Sequence, residues 1–226
     1  MSSSISTTPG GSSRRSFFLF LLLVPVGIFV ILAALLVVEF KQFRAMVSPT
    51  TADVPEFAWS DSAHARVDSV EADLHAFVDR DTSRVKSDSL WISGGDLTLL
   101  LGSSNIALSH GIRVHVTTTD SLIIVQSTQP VQALQGQLAW VFKKIAPSGY
   151  LNARIEGYPI LKDGKLTFFP VRGFLNGHKI PTTTWTKQGG FSAASFIGHQ
   201  DFYNAFLRAV GDIQVTPKGM LLLRNP

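Results

Sequence analysis

Four ionisable side chains are spaced so that they would share one side of a helix. The intervals between them are four, three and four residues: His64, Asp68, Glu71 and His75. At 100° per residue these positions fall within about 60° of one another, and imidazole and carboxylate groups are ligands that zinc takes from proteins. However, His64 and His75 would lie about 16 Å apart along the helix, too far to share one ion. The pattern is more typical of a solvated helix surface, and we expect no metal and no cofactor.

The other candidates for catalysis do not form a known pattern. His110 and His115 are five residues apart, so in a strand their side chains would point to opposite faces. The GGFSAAS segment at 189–195 lacks the second glycine of a serine-hydrolase elbow. Zinc-protease and nucleotide-binding motifs are absent, and the chain has no cysteine. These observations favour a protein that is not an enzyme.

Trp140 departs from the apolar pattern around it. A helix is predicted over 130–146, because its apolar residues recur on one face: Val131, Leu134, Leu138, Val141, Phe142 and Ile145. Trp140 would lie about 200° from Leu138 around this helix, beside Lys143 and Lys144. A tryptophan flanked by lysines is a common composition of surfaces that dock to a partner or to a membrane interface. The alternative is a second buried layer beneath a loop.

A long apolar segment precedes the residues discussed so far. Residues 17–38 are 22 residues without a charge, enough to cross a hydrocarbon layer of about 30 Å as a helix. This run is longer than the apolar region of a signal peptide, and residues 31–33 make a poor cleavage site. We therefore predict an uncleaved transmembrane helix over residues 16–40, which would contact membrane lipids.

The sequence around this helix divides the chain into four parts. Residues 1–15 are rich in Ser, Thr and Gly and predict a polar tail. Residues 41–60 predict a linker, and residues 61–226 are long enough for one domain. Each flank of the apolar segment carries two basic residues, so the amino terminus decides the orientation. We predict a cytoplasmic tail and an extracytoplasmic domain on the cell (inner) membrane.

The net charge of +4 belongs to the flanks of the predicted helix. Four of the 20 basic residues and one of the 16 acidic residues lie before residue 45, which leaves 16 basic and 15 acidic residues beyond it. A domain so close to neutral lacks the basic stripe that nucleic-acid backbones require. We therefore expect no nucleic-acid partner.

Hydrophobic periodicity in the domain predicts an α+β fold. A spacing of 3.6 residues predicts helices at 61–80, near 96–101, at 130–146 opening at Pro130, and at 200–210 ending at Gly211. Alternation predicts strands at 112–117, 122–128, 150–160 and 165–175, and a strand pair within 212–223. Pro170 cannot donate to a ladder, so its strand is bulged there or lies at an edge. We predict one antiparallel, twisted sheet packed with amphipathic helices.

Several segments of the domain resemble a known group of bacterial proteins. They are GGDLTLLL at 94–101, YLNARIEGYPILKDGKLTF at 150–168, NGHKIP at 176–181 and DIQVTPKGMLLL at 212–223. Together with the element order, they are similar to membrane-anchored extracytoplasmic proteins of the YpmS-like kind, relatives of the TULIP lipid-binding superfamily. The resemblance implies a twisted sheet that wraps a long helix. It implies no catalytic residue.

Two functions agree with these features. The single anchor, the near-neutral domain and the missing catalytic motifs favour an accessory or scaffold subunit that binds other proteins of a light-harvesting, respiratory or envelope complex. The alternative, which the resemblance supports, is a lipid- or lipoprotein-binding module with an apolar cavity between helix and sheet. The candidate lining residues of such a cavity are Phe168, Phe169, Phe174 and Phe191.

We predict that the protein keeps its apolar segment when it reaches the membrane. Intact-mass spectrometry of protein purified from membranes is expected to give 24.6 kDa, because the segment is too long for a cleaved signal. A product that begins near residue 34 would contradict the anchor.

Overall fold

The computed structural model describes residues 47–55, 59–80, 87–103, 105–134, 148–162, 165–181, 191–192 and 200–225. The predicted tail at 1–15, the predicted transmembrane helix at 16–40 and the stretch 135–147 with Trp140, Lys143 and Lys144 lie outside these residues. Within the part of the chain that is described, no helix is long and apolar enough to span a membrane.

The described domain is α+β, as the sequence predicts. In chain order, its helices are α1 Asp61–Val78, α2 Gly94–Gly102, α3 Asn105–Ser109 and α4 Gln200–Ala209. Its strands are β1 Ser89–Ser93, β2 Arg113–Thr118, β3 Ile123–Pro130, β4 Tyr150–Lys162, β5 Lys165–Leu175, β6 His178–Lys179, β7 Phe191–Ser192, β8 Val210–Thr216 and β9 Gly219–Arg224. All strand pairs that the structure describes are antiparallel.

The larger sheet is a meander in the order β2-β3-β4-β5-β6, and β7 also pairs with β5. Between β4 and β5 the register shifts, since Gly157 pairs with Pro170 while Glu156 pairs with Arg172. Val171 is therefore the extra residue of a β-bulge. Of the two alternatives that Pro170 leaves open in the sequence, a bulge or an edge position, the structure forms the bulge.

The terminal strands form a second sheet instead of extending the first, so the predicted single sheet is wrong. This smaller sheet has the order β1-β9-β8. Its β1 strand, SLWIS, was not predicted, because five residues with serine at both ends show little hydrophobic pattern. The strand forms because Trp91 and Ile92 pair with Leu221 and Met220 of β9, a partner more than a hundred residues away.

Two predicted helix boundaries are also wrong. No helix begins at Pro130, because β3 continues to Pro130, which pairs with Tyr150. A single 3-10 turn follows at Val131–Ala133, and Leu134 is extended. The last helix ends at Ala209 rather than at Gly211, which lies where the β8–β9 register shifts.

The core lies between the helices and the inner faces of both sheets. The predicted apolar stripe of α1 is buried there, with Val67, Leu74 and Phe77 at most 2% exposed. Helix α2 contributes the leucines of its LTLLL run. Because one cluster of buried side chains contains residues of both sheets, the two sheets stabilise each other through the core.

Helix α2 also covers an edge of the larger sheet. The Thr98 hydroxyl accepts a hydrogen bond from the backbone N–H of Val116 in β2, at 2.9 Å, and donates to the carbonyl of Gly94 in its own helix, at 2.9 Å. Edge strands present unpaired backbone groups that promote association with other chains. Thr98 satisfies one of these groups from within the fold.

An ion pair joins helices α1 and α2. The Arg66 Nε and Nη2 atoms donate to the two carboxylate oxygens of Asp96 at 2.7 and 2.9 Å. Asp96 also forms a capping box with Ser93 at the start of α2. Burial raises the pKa of Asp96, but the hydrogen bonds from Arg66 and Ser93 together lower it by more than burial raises it. The pKa therefore lies below its ordinary value.

Because its pKa is lower in the folded state, Asp96 stabilises the fold at pH values above its unfolded pKa, and this contribution is lost as the pH falls through the folded value. Asp96→Asn should reduce the free energy of unfolding at pH 7 by about 1 to 2 kcal/mol. It should also flatten the acid limb of the stability profile. Urea unfolding of the full chain in detergent between pH 7 and 2 measures both effects.

The control for this prediction is Asp120→Asn in the β2–β3 turn, where the residue is exposed. Its free energy of unfolding should stay within about 0.5 kcal/mol of the wild-type value at pH 7. If Asp96→Asn changes the free energy of unfolding as little as Asp120→Asn does, the ion pair does not stabilise the fold.

Candidate functional site

The outer face of the larger sheet carries a cluster of polar and charged side chains. Alternation along β4 places Leu151, Ala153 and Ile155 in the core. The residues between them, Asn152, Arg154 and Glu156, therefore point to the opposite face. Strand β4 lies inside the sheet, so these polar side chains are at the centre of the face rather than at its margin.

Glu156 lies between two arginines. Arg154 Nε and Nη2 contact its Oε1 atom at 2.9 and 2.8 Å, and Arg172 Nε contacts its Oε2 atom at 2.7 Å. The Glu156 side chain is 7% exposed, whereas the arginine side chains are 43% and 53% exposed. A buried carboxylate is tolerated only when it is paired and hydrogen-bonded. Here both of its oxygens are paired, and the cluster keeps a net positive charge.

A groove runs along the face beside this cluster. Its volume is about 440 Å³. The lining residues come from three strands, the turn after β5 and the segment before α1: Ala52, Gln126, Asn152, Ala153, Arg154, Glu156, Phe174 and Gly177. We call this the sheet groove. It combines an aromatic wall with amide and guanidinium groups, a composition typical of small-molecule sites.

Asn152 closes one end of the sheet groove. Its Oδ1 atom accepts from the backbone N–H of Ala52 at 2.8 Å and from the hydroxyl of Thr128 at 2.6 Å. Its Nδ2 atom donates to the carbonyl of Thr50 at 3.0 Å. Two backbone hydrogen bonds between Ser48 and Tyr150 continue this contact. The part of the predicted linker within 47–55 is thus bound to the domain, and Val54 is buried.

The flanking strands add further cations to the outer face. In the strand register, Arg113 lies opposite Thr128, and Lys179 lies opposite Phe174. Paired residues of antiparallel strands share a face. Both cations therefore belong to the same surface as Arg154 and Arg172, which is more basic than the near-neutral domain as a whole.

The predicted phenylalanine cavity is not formed by the residues whose side chains the structure describes. Phe168 is buried in the core, where its ring occupies the space that a Cβ atom at Gly157 would need. Phe174 lines the sheet groove on the opposite face, and Phe169 stacks with Tyr158 on that face at 5.6 Å between ring centroids. Phe191 pairs with Phe168 through its backbone. Phe168 is therefore separated by the sheet from Phe169 and Phe174.

The histidines of α1 do not converge. His64 contacts the carbonyl of Ser60 and the ring of Trp59, and His75 packs on Phe202 at 4.4 Å. Among the described residues, no group of three or more His, Cys, Asp or Glu side chains could hold a metal ion.

The smaller sheet presents a second surface that the sequence analysis missed. Trp91 is 42% exposed and lies opposite Leu221, while Leu223 is the diagonal neighbour on the same face. We call these three residues the Trp91 patch. Leu221 and Leu223 alternate with Met220 and Leu222, which point into the core. An uninterrupted leucine run conceals this alternation, so only the pairing with β1 reveals the patch.

Comparison of the chain with known protein families, with curated proteins and with solved structures found no significant match.

We predict that Asn152 holds segment 47–52 against the sheet. Asn152→Ala removes three side-chain hydrogen bonds and leaves the buried Thr128 hydroxyl without its acceptor, so stability should fall by about 1 to 3 kcal/mol. Hydrogen exchange at the Ala52 amide should become faster, because this N–H loses its acceptor. Mass-spectrometric exchange on the full chain measures the change.

Thr50→Ala is the matched control, since Asn152 binds only the backbone carbonyl of Thr50. It should leave exchange at Ala52 close to wild type. Equal exchange rates in Asn152→Ala and wild type would show that other contacts hold the segment.

Proposed function

We propose that the protein is a non-enzymatic, single-pass membrane accessory subunit, and that its extracytoplasmic domain binds another protein of a membrane complex through the Trp91 patch. The apolar segment at 17–38 and the lack of catalytic motifs support the first part. The observation that carries the second part is the exposure of Trp91 on the open face of the smaller sheet.

Trp91 forms an apolar surface with two leucines of the adjacent strand β9, Leu221 opposite and Leu223 diagonal to it. Tryptophan is enriched among the residues that contribute most to protein interfaces, and exposed apolar patches mark interaction sites. Trp91, at 42%, is the most exposed of the Phe, Tyr and Trp side chains that the structure describes. Because it lies on a paired strand, its position is fixed before a partner arrives, which reduces the entropic cost of binding.

The surroundings of the Trp91 patch indicate the chemistry of the partner. Asp212 lies opposite Leu223, and Asp88, just before β1, has a side chain that is 91% exposed while one of its oxygens contacts Arg224 at 3.3 Å. An acidic margin around an apolar centre matches an apolar protein surface bordered by basic side chains. The same acids would be repelled by anionic lipid headgroups. A protein partner therefore fits this patch better than a bilayer.

The position of segment 47–55 supports a partner that is itself in the membrane. If the predicted helix ends at residue 40, the seven residues 41–47 connect it to Ser48, which is hydrogen-bonded to Tyr150, so the connection from 40 to 48 spans eight residue steps. Eight extended residues reach at most about 29 Å. The end of the larger sheet at which β4 begins is then held close to the bilayer, where the domain can meet other membrane proteins.

The lipid-binding alternative has less support. It requires an apolar cavity between helix and sheet, and Phe168, one of its candidate lining residues, is packed in the core.

We predict that Trp91→Ser removes a partner without unfolding the domain. The side chain is more than half buried by its neighbours, so the free energy of unfolding should fall by about 1 to 3 kcal/mol, which leaves the domain folded. If Trp91 is a hot-spot residue, its loss should weaken association by about 2 kcal/mol or more. The experiment compares the stoichiometric proteins that co-purify with full-length wild type and variant from native membranes in a mild detergent.

Leu108→Ser is the matched control, because Leu108 is also an exposed apolar residue, at 51%, but lies in α3. A partner that is lost with Trp91→Ser and kept with Leu108→Ser supports the proposal. Retention in both variants, or loss in both, would contradict it.

A further inference from the structure

We propose that Arg154 and Arg172 bind the phosphate group of an organic phosphate, and that the sheet groove holds the remainder of that ligand. This inference does not rest on the docking function proposed above. It concerns the other sheet and requires neither the anchor nor a partner protein.

Glu156 fixes both guanidinium groups in place. Arg154 uses Nε and Nη2, and Arg172 uses Nε, in their contacts with the carboxylate. A guanidinium has five N–H donors, so each arginine retains donors that no described residue accepts. Both side chains are about half exposed. Donors that are oriented in advance by a buried carboxylate lose little entropy when they bind an anion.

The charge of the cluster favours an anion with more than one negative charge. One carboxylate between two guanidinium groups leaves a net charge of one, and Lys179 on β6, the strand next to β5, increases the positive potential. A phosphate group offers at least two anionic or acceptor oxygens in a tetrahedral arrangement, so each arginine can pair with a different oxygen. A carboxylate ligand carries a single charge and has two coplanar oxygens, so it offers fewer acceptors than a phosphate to donors on two side chains.

The sheet groove supplies contacts for the organic part of the ligand. Gln126 lies opposite Arg154 in the register and lines the groove. Its amide makes no hydrogen bond to the residues that the structure describes, so it can bind a hydroxyl or carbonyl of a ligand. Phe174, on the other side of Arg154, offers an apolar surface. The volume of about 440 Å³ is within the range of small-molecule sites.

Binding is tested by calorimetric titration of the full chain in dodecyl maltoside at constant ionic strength. The probes are inorganic phosphate, glycerol 3-phosphate and dihexanoyl phosphatidylglycerol below its micelle concentration, with sodium chloride as the reference anion. We expect saturable binding of at least one phosphate probe. Tight binding of glycerol 3-phosphate indicates a free organic phosphate as the ligand, and tighter binding of the short-chain lipid indicates a lipid headgroup.

Three variants connect binding to the cluster. Arg172→Gln should weaken binding by about tenfold or more, the effect of losing one charged hydrogen-bonding partner. Lys218→Gln removes the same charge in the exposed β8–β9 turn and should leave affinity unchanged. Glu156→Gln makes the face more positive but releases the arginines. Affinity should therefore fall if the site depends on their orientation and rise if it depends on charge alone.

Each result of these titrations either supports or overturns the proposed phosphate site. Saturable binding that is lost in Arg172→Gln and kept in Lys218→Gln supports the site, also where Glu156→Gln fails to fold. The proposal is overturned if none of the phosphate probes binds, if Lys218→Gln weakens binding as much as Arg172→Gln, or if folded Glu156→Gln binds more tightly. None of these results affects the Trp91 patch, which is tested by co-purification.

Discussion

Strand β4 is hydrogen-bonded to β3 along one edge and to β5 along the other, so its side chains have only the two faces of the sheet available. The residues that point inward fill the core. The residues that point outward cannot change position unless the strand shifts, which would also displace the core residues. Asn152, Arg154 and Glu156 are held at fixed positions in this way. The stability of the domain and the geometry of the outer face therefore have the same origin.

A polar row at the centre of a sheet is costly unless its hydrogen bonds are satisfied. The structure satisfies them with groups from distant parts of the sequence. Thr50 and Ala52 lie about a hundred residues before Asn152 and bind its amide, and Arg172 reaches Glu156 across the β4–β5 pair. The same contacts bring segment 47–55 onto the domain, so the route of the chain toward the predicted anchor follows from the chemistry of one strand.

The two sheets divide the surface into regions of different character. The outer face of the larger sheet is basic and contains the sheet groove, whereas the Trp91 patch on the smaller sheet is apolar with an acidic margin. Because their inner faces share one core, the two surfaces are held rigidly by the same fold. An anion bound on one sheet leaves the other sheet free to contact a protein.

The sequence by itself determined the α+β class, helix α1, the four long strands and an irregularity at Pro170, a bulge or an edge, because hydrophobic period and proline chemistry act locally. It did not determine the second sheet, the continuation of β3 to Pro130 or the exposure of Trp91, since each depends on a strand partner farther along the chain. The same holds for the candidate site. Arg154, Glu156 and Arg172 look like ordinary polar positions of two strands. Arg154 shares a face with Glu156 because the two residues alternate along β4, but only the shifted register at the bulge brings Arg172 to the same carboxylate.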